Sequence, residues 1–377
     1  MLPLTIVEPA LRRETGHFPS IVRSIIETLK HDFAPITIYA HARCTVTIPG
    51  TRIVPFFRRR IRRFQSAWLA RKLLPREGVV LFSTAHSTDY MGIQWASRLV
   101  PAMNATVLLF HHMHYANPKH ERRLRNAARR CPNLIIAAPT TATADAVRNE
   151  GFTRVHEIPY PHIDTFIDHA SGSPDATPTI LHPGVPRLDK GLGAIADLAE
   201  KFRDEKRDIP IIVQVSLDHW GHQQDDTKAA VDRLRASAYP NLRLIDESPD
   251  PTGYASLFKG AICVLPYDRE LFKERISGVT LDALRAGCPI VVTSGTWMAR
   301  LVDQHHAGVC IDDFSPTTIA AAVDTIIADL KGYRARSLAG GDAVRREQHA
   351  SPLREVLLAA TSSRVPASAT PTPITPR

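Results

Sequence analysis

Short apolar runs alternate with longer amphipathic stretches along most of the chain. In the first half, residues 4–7, 36–39, 78–82, 105–110, 134–137 and 155–158 are rich in Val, Ile, Leu and Phe. They are too brief for helices and predict strands buried on both faces, as in a parallel sheet. Residues 19–30, 93–100 and 119–130, and a short stretch capped by Thr141 or Thr143 and closed by Gly151, predict the intervening helices. Strand and helix in alternation predict one doubly wound parallel sheet over residues 1–170. Residues 171–178 are small, polar and proline-containing and read as a linker.

The pattern then restarts. Residues 179–182, 211–215, 242–245, 261–265, 290–292 and 309–311 predict strands, again separated by helices, so a second sheet is expected over residues 179–335. A C-terminal helix is expected over 336–360, and residues 361–377, rich in Pro, Ser and Thr, are expected to be disordered. The fold class is therefore α/β, with two Rossmann-like doubly wound domains facing across a cleft. Ligands of such sheets bind beyond the carboxyl ends of the strands.

Composition changes this picture little. Of 377 residues, 44% are hydrophobic and 23% charged, as in a soluble globular protein, and no run approaches the roughly 18 apolar residues of a membrane span. The first residues lack a basic stretch ahead of an apolar one, so no secretory signal is expected. Five scattered cysteines without ligand spacing fit a reducing, cytoplasmic setting.

The formal charge of +9 matters through its distribution. Residues 55–72 interleave Arg58, Arg59, Arg60, Arg62, Arg63, Arg71 and Lys72 with Phe56, Phe57, Ile61, Phe64, Trp68 and Leu69. Three readings are open: a solvated helix with its aromatic side on the sheet, a surface for anionic lipid at the inner face of the plasma membrane, or a nucleic-acid contact. The last is the least favoured.

Several loops carry candidate chemistry. His86, Ser87 and Asp89 lie too close along one loop for a nucleophile, base and orienter, and no nucleophile elbow surrounds the serine. His111, His112 and His114 lack a carboxylate or thiolate at ligand spacing, so no metal site is expected. His111 or His112 instead stands at the carboxyl end of a strand, where it can face a ligand. Gly16 precedes a helix and leaves room for a phosphate or sugar near the backbone, although a plain turn explains it as well.

The second half holds two stronger candidates. In residues 184–191, Arg187 and Lys190 can meet a diphosphate and Gly191 opens a helix. In residues 272–293, Glu274 and Asp282 flank a helix start at Ser277 and Gly278, whose backbone N–H groups can accept phosphate oxygens. With 38 acidic residues, chance alone supplies about four acidic pairs at any one spacing, so the weight lies in the loop–helix junction.

These two segments, PGVPRLDKG and ERISGVTLDALRAGCPIVVT, resemble the donor domain of the GT-B glycosyltransferases, specifically the retaining group 1 family with its Gly-Arg…Lys-Gly loop and Glu-x7-Glu motif. The resemblance spans about 180–330. In the first half it is carried more weakly by Gly16-His17, by His111 and His112, and by IPYPHIDTF. It implies that Arg187 and Lys190 hold the donor diphosphate, with Gly191 opening the following helix. Glu274 would contact the donor sugar, Asp282 the ribose, and Ser277 and Gly278 the phosphates. His111 or His112 would reach the sugar across the cleft. It implies a UDP- or GDP-sugar as substrate, neither cofactor nor metal, and a glycan or lipid-linked acceptor in surface polysaccharide synthesis. Retention would follow from front-face attack. The sequence departs from the family at Asp282, which replaces a glutamate, at Val185, which stands where many members have arginine, and at Ile276-Ser277-Gly278, which replaces Gly-Phe-Gly. Those departures motivate a second reading, a catalytically silent relative that binds a sugar nucleotide or serves as a partner subunit.

Overall fold

A computed structural model describes residues 1–14, 16–110, 118–161, 178–216 and 225–362. The first half runs β1 (Leu2–Glu8), α1 (His17–Leu29), β2 (Phe33–His41), β3 (Thr51–Phe57), α2 (Arg62–Leu73) and β4 (Val79–Phe82). It continues with α3 (Ser87–Ala96), β5 (Ala105–Leu109), α4 (Pro118–Arg130), β6 (Ile135–Ala138), α5 (Thr141–Asn149) and β7 (Val155–Glu157). These seven strands form one parallel sheet ordered β3-β2-β1-β4-β5-β6-β7. The order reverses between β1 and β4, which places a crevice beyond their carboxyl ends.

The second half runs β8 (Thr179–His182), α6 (Leu192–Asp204), β9 (Ile211–Gln214), α7 (Asp225–Ala236), β10 (Leu242–Ile245), α8 (Pro251–Leu257) and β11 (Ala261–Leu265). There follow α9 (Arg269–Phe272), α10 (Gly278–Arg285), β12 (Ile290–Thr293), α11 (Trp297–His305), β13 (Gly308–Ile311) and α12 (Pro316–Ala328). The six strands are all parallel, ordered β10-β9-β8-β11-β12-β13, with the reversal between β8 and β11. Two Rossmann-like sheets with helices on both faces are thus present.

Two local expectations are corrected. The segment 55–72 is not one continuous basic stretch: its first three residues end the edge strand β3, and α2 begins at Arg62. Pro55 hid that strand in the sequence, yet proline is tolerated at a sheet edge, where its missing N–H costs no ladder bond. The single helix expected over 336–360 is two, α13 (Leu330–Glu347) and α14 (Ser351–Ser362). The break falls just before Pro352, which fits only the first turn of a new helix. Residues 363–377, most of the expected tail, and 171–177 of the expected linker lie outside the described residues.

The break sends the chain back to its beginning. Helix α13 packs on α10 of the second half, whereas α14 lies on α1, β4 and β5 of the first. Leu353, Val356 and Leu357 are buried there among Ile21, Ile25 and Leu109. Arg354 forms a two-pronged ion pair with Asp32 at 2.6 and 2.7 Å, which holds that carboxyl below its usual range. The opposite face of the first sheet is covered by α2 to α5, with Leu69, Leu73, Tyr90, Ile93 and Leu124 in its core. Among the described residues no helix is long and apolar enough to cross a membrane.

Candidate functional site

The second switch point is built from three loops. The first follows β8, whose last residue, His182, is buried and donates its Nδ1–H to the Val264 carbonyl at 2.8 Å. Burial and the nearby Lys190 ammonium lower its pKa to about 4, so the ring is neutral. The chain then turns at Gly184 (φ 96°), whose N–H donates to Gln214 Oε1 at 2.8 Å. A one-turn 3₁₀ helix over residues 188–190 ends at Gly191, in the left-handed conformation (φ 79°, ψ 22°), and α6 begins. Any β-carbon at Gly191 would lie 2.3 Å from the Pro266 carbonyl oxygen. Glycine is required there because this loop is pressed onto the end of β11.

The loop after β11 brings Tyr267 under that turn. Lys190 Nζ lies 5.5 Å from the centre of the buried Tyr267 ring, and Tyr267 in turn touches Phe272 with ring centres 4.7 Å apart. Arg275 caps the other end of this pair, its guanidinium 5.0 Å from the Phe272 ring centre. Lys190 and Arg275 therefore sit on two touching aromatic rings. Arg187 stands nearby but is tied to Asp189 by a two-pronged ion pair, one bond being 2.7 Å. Among the described residues neither Lys190 nor Arg275 has a carboxylate partner. Burial first, and then the neighbouring guanidiniums, lower the Lys190 pKa to about 8; the same causes hold Arg275 below its ordinary range. Two cations, both disfavoured by burial and by the Arg187 guanidinium, form a site that an anion would relieve.

The third loop leads into α10. Ser277 is its N-cap, with Oγ accepting from the Thr280 N–H at 3.3 Å. Gly278 opens the helix, and nothing lies within 4 Å of where its β-carbon would stand. The Thr280 and Leu281 N–H groups are already used by Ser277, so the Gly278 and Val279 N–H groups are the ones at the helix start that a ligand can take. The place a Gly184 β-carbon would take is 3.5 Å from both Lys190 Nζ and Val279 Cγ2, so lysine and helix start border the same volume. Among the described residues the buried Tyr267 and Thr280 hydroxyls find no hydrogen-bond partner.

Glu274 and Asp282 flank this volume differently. Glu274 accepts from Arg300 at 2.7 Å. Asp282, one turn into α10, accepts from the Tyr254 hydroxyl at 3.2 Å. Tyr160, at the end of the first half, is buried, and after burial itself it is Asp282 and then Glu8 that raise its pKa. One carboxylate comes from each half, so Tyr160 marks the floor between them. Glu8, at the carboxyl end of β1, is fully buried and accepts from Ser83 at 2.8 Å, Thr84 at 2.6 Å and the Ala10 N–H at 3.0 Å. It ties the strands of the first switch point together. His86 and Asp89 form a reciprocal cap on α3, and Asp89 also pairs with Arg62 at 3.1 Å. The three-residue cluster around Ser87 is therefore a helix start.

Of the residues singled out in the sequence, Arg187, Lys190, Gly191, Ser277, Gly278, Asp282 and Glu274 are brought to this one edge. Gly16, with φ 85°, is at the start of α1, beyond β1 on the same edge of the first sheet. His111 and His112 lie outside the described residues. Arg275 and the ring pair beneath it were not anticipated. An arginine beside Glu274 was visible, but its use depends on the contact between Phe272 and Tyr267, which no local pattern encodes.

A dianionic ligand here needs the Lys190 ammonium. Affinity for UDP or GDP is therefore expected to be level below the free-state value of about 8 and to fall as pH rises through it. Titration calorimetry between neutral and alkaline pH checks this; affinity that stays flat across that interval contradicts it.

Comparison with known proteins agrees with the architecture. Residues 178–329 match a family described as "Glycosyl transferases group 1". No curated protein sequence matches the chain. Sucrose-phosphate synthase from Thermosynechococcus elongatus superposes with a TM-score of 0.72 at 12% identity, covering 96% of this chain and 98% of that one. Anabaena HepE, in complex with UDP-glucose, gives 0.70 at 13% identity, with coverages of 96% and 100%. A glycosyltransferase from Rickettsia africae gives 0.68 at 13% identity, with coverages of 96% and 98%. The chain has the GT-B fold, and its second half is similar to the group 1 glycosyl transferases.

Proposed function

We propose that this chain is a retaining glycosyltransferase. It moves a sugar from a UDP- or GDP-sugar to a glycan or lipid-linked acceptor in surface polysaccharide synthesis. The observation that carries the reading is the pair Lys190 and Arg275, without carboxylate partners among the described residues, on touching rings before the start of α10. As the glycosidic bond breaks, negative charge grows on the leaving diphosphate. Fixed cations and helix N–H groups that need no reorganisation stabilise that charge. On this reading no metal is required. Glu274 orients the donor sugar and Asp282 takes the ribose hydroxyls, giving up the Tyr254 hydroxyl or sharing it. In a retaining reaction the leaving phosphate oxygen takes the acceptor proton on the same face.

One observation favours a second reading, a silent sugar-nucleotide binder. Both carboxylates are already engaged by the chain's own groups, Glu274 with Arg300 and Asp282 with Tyr254. A thermal-shift screen of UDP- and GDP-sugars, followed by turnover assays on whichever binds, separates the two. A donor stabilises the folded chain by mass action, by about 2.7 kcal/mol at a hundred times its Kd. No shift with any nucleotide sugar sinks both readings. A shift without hydrolysis or transfer, unchanged in Glu274→Ala, selects the silent one.

A further inference from the structure

The face of the first half formed by α2 and α3 is the least ordinary surface of the molecule. Helix α2 buries Ser66, Leu69, Ala70 and Leu73 against the sheet. Its opposite side, which should be polar in water, carries Phe64 (79% exposed) and Trp68 (51% exposed), with Ile61 before the first turn (44% exposed). These positions are three and four apart, so they form one row. Helix α3 buries Tyr90, Ile93 and Ala96 and turns Met91 and Trp95 outward, with Leu99 exposed in the turn that follows it. The helices pack side by side: a β-carbon at Gly92 would lie 3.0 Å from the backbone at Ser66 and Ala67.

Charge is concentrated in the same place. Residues 58–130 hold 15 Lys and Arg against three Asp and Glu, more than the whole chain's formal +9. Among the described residues Arg58, Arg59, Arg60, Arg63 and Arg71 have no carboxylate partner. Apolar side chains projecting between unpaired cations suit a bilayer interface, where the rings enter the headgroup region and the guanidiniums meet phosphates.

We propose that the α2–α3 face docks on an anionic lipid bilayer. Both helices start at the carboxyl edge of the first sheet, following β3 and β4, so docking brings that edge close to the lipid surface. On the transferase reading above, the acceptor then comes from that surface, as a saccharide carried on a lipid.

The test is co-sedimentation of the full chain with vesicles of phosphatidylcholine alone or with about one-third phosphatidylglycerol. Each cation near such a surface contributes about fivefold in affinity, so the variant with Arg58, Arg59, Arg60, Arg63 and Arg71 all changed to Gln is expected to bind at least about a hundredfold more weakly. The unmodified chain should sediment only with phosphatidylglycerol and shift its tryptophan emission to the blue. Changing Phe64, Trp68 and Trp95 to Ser should abolish that shift, leaving weak, salt-labile binding. The five arginines are exposed, so the five-Arg variant should keep its unfolding midpoint, whereas Trp68 stacks on Phe56 with ring centres 5.6 Å apart and the triple variant is read beside its own unfolding curve. Equal sedimentation of wild type and the five-Arg variant would overturn the proposal. So would tighter binding to duplex DNA than to vesicles, or a dimer broken by the triple variant without vesicle binding. Nucleotide binding, measured in parallel, should be unchanged in both variants; its persistence when vesicles are not bound overturns docking alone, and its absence in the unmodified chain overturns the transferase reading instead.

Discussion

Lys190→Ala is expected to lower kcat/KM for donor turnover by about 10²–10³-fold, with kcat falling alongside it. On the transferase reading the ammonium faces charge that develops on the leaving diphosphate, and Arg275, whose guanidinium lies over the Phe272 ring, compensates only in part. The same change should leave the fold as stable as before or slightly more so. In the free protein Lys190 forms no ion pair with a carboxylate among the described residues; burial and the Arg187 and Arg275 guanidiniums oppose its charge, and the Asp189 carboxylate offsets them only in part. Arg275→Gln should cost about 10–100-fold, the range for a lost charge-assisted hydrogen bond. Arg187→Gln should cost least of the three, because Asp189 already neutralises that guanidinium. Steady-state kinetics of the three variants with one nucleotide sugar checks the order. An Arg187→Gln loss as large as that of Lys190→Ala would show that Asp189 releases its arginine to the donor.

Gly191→Ala should be strongly destabilising, because the added methyl group meets backbone in a left-handed turn. A left-handed residue with a β-carbon costs about 1–2 kcal/mol, and overlap with a close-packed neighbour typically adds about 1–3 kcal/mol. Here the overlap is with backbone, the Pro266 carbonyl oxygen at 2.3 Å and carbonyl carbon at 3.0 Å, so neither side can swing away. The expected loss is about 2–5 kcal/mol by urea unfolding, with a matching fall in nucleotide affinity, since Lys190 is the adjoining residue and Tyr267 follows Pro266. An unchanged unfolding midpoint would mean that the loop is not pressed onto β11 in solution. Gly278→Ala, where space is open, should be far milder for stability and serves as the contrast.

Much of this architecture could be read from the chain, and the reasons are physical. Central strands such as β5 and β12 are buried on every residue, so they appear as unbroken apolar runs. Edge strand β3 did not, because one side of it is solvated and it contains Pro55. Phosphate-side elements were legible where backbone geometry forces a residue type, as at Gly191 or the Ser277 cap. What could not be read depends on contacts between distant segments. Arg275 gains its place from Phe272 lying against Tyr267, and Tyr160 from standing between Asp282 and Glu8. The outward row on α3 was invisible for a different reason. A helix with apolar residues on two sides looks, in sequence, like one that is simply well buried.

The return of α14 to the first half has a mechanical consequence. The chain passes between the two sheets twice, once between β7 and β8 and once between α13 and α14. The Tyr160 N–H donates to Gln348 Oε1 at 2.9 Å, so the approach to the first passage is fastened to the second. A single backbone-to-side-chain bond thus links the exit from the first half to the helix break that returns to it, so Gln348→Ala removes a restraint on both crossings at once.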